Sequence, residues 1–245
     1  MNYQVYNFNR QEWCLYILEG IILAAGISYV FYHSFIAFFL LIPCIYFFIK
    51  WVKKNLILKR SLELSLEFRE AIISVQSALN AGYSVENAFI EAGRDMEKLY
   101  GREGLISREF TILTRRLRSN ETLEKILTDL SDRSGIEDIR DFANVFSVAK
   151  RGGGDFTSII RRAADTIGDK IEVRREIDTL MSSKRYENRI MEIVPFAIIL
   201  YLGFTSPDLI SVLYHNVTGI AIMTVCLMLY GFAFYLAERI VSIEI

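Results

Sequence analysis

Apolar residues along this chain fall into two kinds of pattern, continuous and periodic. From Leu15 to Val52 they are almost continuous. A run of about 38 residues is too long for one membrane-crossing helix of ~20, so it predicts two spans, Leu15–Tyr32 and Phe35–Val52, joined at the polar pair His33-Ser34. Trp13, Trp51 and several tyrosines stand near the ends of these runs, where amphipathic rings favour the headgroup region. Beyond Lys53 the pattern becomes helical. Leu62, Leu66, Phe68, Ile72, Val75 and Leu79 recur at helical spacing until Ala81-Gly82, and Ser84 then caps a helix carrying Val85, Ala88, Phe89 and Ala92. Further helices are predicted near Ile106–Leu117, Thr122–Arg133 and Asp138–Lys150, with breaks at Gly101–Gly104, Ser119-Asn120 and Ser134-Gly135.

The stretch around which this arrangement turns is Arg151-Gly152-Gly153-Gly154-Asp155. Its glycines stop one helix and Asp155 can cap the next. From Phe156 nothing interrupts helical spacing until Pro195. Ile160, Ala164, Ile167, Ile171, Ile177 and Met181 form the apolar side of a highly charged helix, which to Arg189 would be a rod of roughly 50 Å. It runs straight into an apolar segment ending at Gly203-Phe204, with Glu192 and Pro195 in the first turns. Ser206-Pro207-Asp208 carries the signals of a helix start and predicts a short interfacial helix, Pro207–Tyr214. Val217–Leu236 is a full-length span before Glu238-Arg239. The corner Ala81-Gly82-Tyr83-Ser84, followed by Val85, Phe89 and Ala92, echoes Gly153-Gly154-Asp155, followed by Phe156, Ile160 and Ala163, suggesting two similar helical hairpins.

Hydrophobic content of 52% fits either a large soluble domain or a membrane protein, and the placement of charge decides between them. The interval Lys53–Arg189 holds 25 of the 28 Lys and Arg and 23 of the 29 Asp and Glu. The expected plan is therefore all-α, with four transmembrane helices and an antiparallel helical bundle between two membrane hairpins. Its parts are an N-terminal segment 1–14, a hairpin 15–52, the helical domain 53–189, a second hairpin 190–237 and a tail 238–245. Lys50, Lys53, Lys54, Lys59 and Arg60 after the second span, and Lys184, Arg185 and Arg189 before the third, place the domain and both termini in the cytosol by the positive-inside rule. No basic region or small-residue cleavage site frames the first apolar run as a signal peptide.

The same distribution limits the chemistry. A net charge of about +2 over the charged interval gives no general nucleic-acid surface. That interval contains neither His nor Cys, so no Ser/His/Asp or Cys/His constellation can be assembled in it, and its carboxylates interleave with Lys and Arg as on a solvated or partner-facing helix surface. The Gly152–Gly154 run lacks the Gly-Lys-Ser/Thr of a phosphate loop, and Asp155 would repel a phosphate. Cys14, Cys44 and Cys226 have no metal-ligand spacing and read as small packing residues, and His33 and His215 read as turn residues. The chain is expected to be no enzyme and to hold no cofactor or metal. What remains is polar groups inside spans. Glu19 either reaches the headgroups or faces inward, and Glu192, with Arg189 three residues before it, is expected to form a local pair.

The order of these features resembles the type II secretion F domain family, and is most similar to its Tad/Flp pilus assembly members. The resemblance rests on Phe68–Phe89 with the corner Ala78-Leu79-Asn80-Ala81-Gly82, on Phe142–Ile160 around the glycine corner, and on Lys184–Pro195 entering the membrane. Pro207 with Leu213, then Gly219, Gly231 and Arg239-Ile240-Val241, extend it. It covers roughly Arg60 to the C-terminus, with one F-type domain where longer relatives have two. The resemblance implies a non-enzymatic inner-membrane platform at the base of a pilus or secretion machine. Implied partners are a cytosolic hexameric ATPase, a paralogous platform protein, pilin subunits and membrane lipid, in a homo- or hetero-oligomer and without nucleic acid. Gly82, Ser84, Gly152, Gly153, Gly154, Asp155, Pro195 and Pro207 are the expected structural or coupling positions. A membrane-anchored helical sensor or regulatory subunit, or a transporter component, is the alternative class.

Overall fold

The computed structural model describes residues 3–5, 8–32, 35–152, 156–206, 214 and 216–241, with backbone alone at 35–37, 40, 151, 152, 156, 157, 217, 238, 240 and 241. Among the described residues every regular element is an α-helix. These are α1 (Arg10–Tyr32), α2 (Phe35–Asn80), α3 (Val85–Tyr100), α4 (Leu105–Arg118), α5 (Leu123–Ser134), α6 (Glu137–Gly152), α7 (Phe156–Thr205) and α8 (Val217–Val241). They form two compact units. One comprises Met1–Asn7 and Lys53–Val173, the other Phe8–Val52 and Arg174–Ile245.

The first unit is a helical body around one apolar core. Leu64, Phe68, Ala71, Ile72 and Val75 of α2 are buried against Phe89 and Met96 of α3, Ile106 and Phe110 of α4, Leu127 of α5, and Phe142 and Phe146 of α6. Ile160, Ala164, Ile167 and Ile171 of α7 complete it, the positions whose spacing predicts an apolar side for that helix. At its centre the rings of Phe89 and Phe110 lie 6.1 Å apart, Phe89 and Phe146 5.9 Å, and Phe68 and Phe142 5.4 Å, separations at which offset and edge contacts are favourable. Gly168 lets α2 and α7 approach, since a Cβ there would meet Nε and Nη2 of Arg69 at 3.1 Å.

Two helix starts in this body are built differently. At α3 the Ser84 hydroxyl accepts from the Asn87 N–H at 3.4 Å, after a corner where Gly82 has φ +90°. At α4 the N-cap is Gly104, which has no side chain to offer, and Glu67 of α2 takes its place: its carboxylate, buried, accepts the Ile106 N–H at 2.7 Å. Burial pushes the Glu67 carboxyl up from its ordinary value, and the backbone donors oppose that shift only in part.

The second unit joins α1, the start of α2, the end of α7 and α8. Gly20 of α1 packs against Ile45 and Phe48 of α2. Phe31 meets Phe196 of α7 edge-on at 5.6 Å, Phe196 meets Tyr230 of α8 at 5.4 Å, and the Tyr32 and Thr224 hydroxyls are 3.0 Å apart. Among the described residues three stretches are long and apolar enough to cross a membrane: Arg10–Tyr32, Ser158–Thr205 and Thr218–Ala237. The stretch 35–52, expected as a fourth, is helical but is not one of these three, and four of its side chains lie outside those described.

Three expectations need correction or fall outside view. Phe35–Val52 and the helix from Leu62 are one 46-residue helix, because Lys53–Ser61 contains no breaking residue and continues the helix between them. Within the segment 1–14, α1 begins at Arg10 and Tyr3 lies in the core of the helical body. The turn at His33-Ser34, the corner residues Gly153, Gly154 and Asp155, the helix from Pro207, and Leu213 and His215 lie outside the described residues.

The cap at α4 yields a pH-dependent prediction. A raised carboxyl pKa means the folded state favours the protonated acid, so the body loses stability as pH rises from the ordinary glutamate value of 4.5 through the raised one. Glu67→Gln keeps an acceptor for Ile106 and should leave hydrogen-exchange protection of α4 at pH 7 equal or higher. Glu67→Leu orphans the N–H and should lower local stability by about 1–3 kcal/mol.

Candidate functional site

The most elaborate polar arrangement in the helical body gathers around two buried groups from distant parts of the chain. Glu109 on α4, 2% exposed, receives both arms of the Arg133 guanidinium from α5, at 2.9 and 2.7 Å. The Tyr3 hydroxyl donates to the same carboxylate at 2.7 Å, the Tyr3 N–H donates to the Arg133 carbonyl at 3.0 Å, and the Arg60 guanidinium lies 5.1 Å from the Tyr3 ring centre. Arg133 continues to Asp129 at 2.9 Å, and Arg116 joins Asp129 at 2.8 Å to Glu121. A bidentate guanidinium with its carboxylate satisfied from a third side is the geometry in which a buried ion pair is tolerated.

The electrostatics follow from burial and pairing. Burial first, then the hydrogen bond to Glu109, pushes the Tyr3 phenol far above its ordinary range, so it remains a donor throughout the physiological range. The Glu109 carboxylate holds the Arg133 guanidinium charged. Burial alone would raise the Asp129 carboxyl, but Arg133 and Arg116 together hold it below the usual aspartate range.

This node pins the N-terminal segment onto α4 and α5. Gln4 adds a hydrogen bond from Nε2 to the Asp132 carbonyl at 3.0 Å, over Gly135, where φ is +67° and a Cβ would lie 2.6 Å from that amide. None of these residues stands out in the sequence. Tyr3 is one aromatic among several near the N-terminus, and Glu109 and Arg133 read as ordinary members of charged helices. The only available signal was Glu109 itself, in phase with the apolar positions Ile106, Phe110 and Leu113.

The expected coupling positions lie elsewhere. Gly82 and Ser84 make the corner into α3, and α6 ends at Gly152. Near that end Lys150 reaches Glu124 at 3.1 Å and Glu86 at 3.7 Å, beside an open recess lined also by Ile90, Leu117, Arg118 and Asn120. The recess carries both charge signs and no nucleophile with a base, so its chemistry is that of a contact surface.

Pro195 lies inside α7, where it removes a backbone donor, and the neighbouring Glu192 carbonyl accepts the Tyr230 hydroxyl at 2.7 Å. The Glu192 side chain is paired within its own helix, though with Asn188 at 2.9 Å rather than with Arg189. A residue four positions back serves as well as one three back, because both lie on one helix face. Glu19 on α1 is exposed. Cys14, Cys44 and Cys226 are also exposed, which corrects their reading as packing residues: each falls on a face of its span that the described residues leave uncovered.

The family described as Type II secretion system (T2SS), protein F matches residues 71–204, from the C-terminal end of α2 through α6 and along α7 to its apolar end. No curated protein and no solved structure matches the chain. The matched stretch holds Gly82, Ser84, the glycine corner and Pro195, and it leaves out α1, Pro207 and α8.

Replacing Arg133 with Met should strand the buried Glu109 charge and cost about 3–5 kcal/mol of local stability in α4 and α5, read by hydrogen exchange on the full chain. A milder perturbation is acid. Because the Asp129 pKa is depressed, its contribution is complete above the ordinary value of 3.8 and is lost as pH falls through the lower folded value. Protease access to residues 1–9 should therefore rise below about pH 4, and Tyr3→Phe should move that onset to higher pH.

Proposed function

The chain belongs to the family of Type II secretion system (T2SS) protein F, and from that membership we propose that it serves as the inner-membrane platform of a Tad/Flp-type pilus or a related secretion machine. Proteins of this family are multi-pass inner-membrane components of secretion and pilus machinery, generally without catalytic activity, and work with secretion ATPases and other platform proteins. In this reading the helical body and both termini face the cytosol and four spans cross the membrane, in keeping with the Lys and Arg clusters that follow 35–52 and precede Ile190. Helices α2 to α7 form an antiparallel bundle.

Its partners are a cytosolic hexameric ATPase, a paralogous platform protein and the pilin subunits whose apolar segments are handled beside the spans. The observation that carries the reading is the extent of the family match. It covers most of the core of the helical body and continues without a break along α7 into an apolar segment able to cross a membrane. α7 contributes Ile160, Ala164, Ile167 and Ile171 to that core and is helical to Thr205. Force applied to the body by the ATPase is therefore passed along α7 rather than absorbed in a loop, provided the body has two arrangements for the ATPase to select between.

A proline inserted after Ile171 tests this directly, since it breaks the backbone ladder and shifts the phase of everything that follows. Membrane insertion and abundance should be unchanged while filament assembly or secretion falls at least tenfold. The same insertion in the turn after Arg102 should have little effect. Normal assembly in the first variant rejects the coupling role, and loss in both rejects its assignment to α7.

A further inference from the structure

The polar end of α5 is closed by a segment from far away in the chain. A helix leaves its last carbonyls without partners inside the helix. In α5, Ser131 accepts from the Gly135 N–H at 2.9 Å, Arg133 from the Tyr3 N–H at 3.0 Å and Asp132 from the Gln4 side-chain amide at 3.0 Å. Next to these carbonyls the Tyr3 ring is buried, 2% exposed, with its hydroxyl donating to Glu109 at 2.7 Å and the Arg60 guanidinium 5.1 Å from the ring centre.

Together these groups have the donor and acceptor pattern of a peptide site. The two carbonyls take a backbone N–H and a side-chain amide, the slot takes an aromatic ring, and the carboxylate takes a hydroxyl at the far end of that ring. Main-chain hydrogen bonds give such a site affinity and the side-chain slot gives it specificity. Phenylalanine would fill the slot without bonding Glu109, and a phosphorylated tyrosine would set phosphate against that carboxylate. Gly135 leaves room for the residue after the tyrosine, since a Cβ there would lie 2.6 Å from the Gln4 amide.

The occupant is held so that it can come away. Tyr3 is buried whereas Gln4 and Val5 are exposed, so one side chain anchors residues 3–5. Its departure strands no charge: Glu109 keeps both arms of Arg133, at 2.9 and 2.7 Å, and Arg133 keeps Asp129 at 2.9 Å. Water can replace the lost donors at the end of α5, because Asp132 and Gly135 are exposed. A terminal segment fixed at one point opens at far lower cost than the helices it lies on. We propose that the end of α5, with Glu109 and Arg60, is a binding site for an extended peptide carrying tyrosine, and that residues 3–5 are its detachable ligand, bound in cis. Occupied, the site leashes the start of α1 at Arg10 to α5 by a reach of ~25 Å at full extension; vacated, that limit is gone. The proposal does not depend on the platform reading.

The test supplies the ligand from outside. The probe is a synthetic peptide of residues 1–9 with a dye at its C-terminal end, added to the purified full chain in lipid nanodiscs. Tyr3→Ala empties the site, and that chain should bind the peptide saturably. The wild-type chain should bind it at least tenfold more weakly, because its own segment competes at an effective concentration of roughly millimolar order. A Tyr3→Phe peptide should bind the emptied chain at least tenfold more weakly than the unaltered peptide. The Tyr3→Phe chain, which keeps the ring and loses only the hydroxyl, should bind the unaltered peptide better than the wild type does. Hydrogen-exchange protection of α4 and α5 should agree within twofold between wild type and Tyr3→Ala. The absence of saturable binding to either variant, equal binding to the wild type, equal binding of the Tyr3→Phe peptide, or a loss of α4 and α5 protection in Tyr3→Ala each overturns the proposal and makes Tyr3 a fixed part of the core.

Discussion

Four of the helices in the water-facing half of this sequence, α3 to α6, are 12 to 16 residues long. Segments of that length are marginal in water on their own, whatever their composition. They hold because each buries one face in a core shared with the stripe Leu64, Phe68, Ala71, Ile72 and Val75 of α2 and the stripe Ile160, Ala164, Ile167 and Ile171 of α7. The phenylalanines 68, 89, 110, 142 and 146 fill the space between them, so four different helices meet in one aromatic centre. The two long helices are thus the frame on which the short ones are assembled.

Three of the carboxylate contacts of this body satisfy another helix. Glu67 supplies the cap that Gly104 lacks, and Glu109 receives Arg133 and Tyr3. Ser65 and Lys170 meet at Asp138, tying α2, α6 and α7 at a third point. Each of these contacts is worth little as an isolated pair, because the cost of desolvation nearly cancels the attraction. Their consequence is specificity: the apolar stripes tolerate sliding by a turn, whereas a buried carboxylate matched to a particular guanidinium or N–H does not.

The membrane-facing half follows the opposite rule. Its spans leave most of their apolar side chains uncovered, and the hydroxyls of Tyr32, Tyr214 and Tyr230 provide the polar contacts between helices, as suits segments that gain little from packing apolar groups together. Against that background Glu192, paired with Asn188, and Glu19, paired with nothing described, mark different situations within one solvent.

How much of this was legible in the residues follows from the range over which each signal acts. Local and periodic features were open to reading: the starts and stops of α3 to α6, the cap at Ser84, the apolar stripe of α7 and the separation of charged from apolar stretches all depend on neighbours within a few turns. The membership of Tyr3 in the core, the capping of α4 from α2 and the Glu109–Arg133 pair were not, since partners 39, 106 and 24 positions apart leave no periodic trace. The fusion of an apolar and a charged stretch into the single helix α2 was equally hidden, because the two patterns abut there without a break. The sequence by itself determined which segments are helices and which solvent each prefers, through backbone propensity and the cost of transferring side chains from water. The tertiary structure alone decided which polar groups meet inside, because only the folded chain brings donor and acceptor within the 3 Å at which a buried charge becomes tolerable.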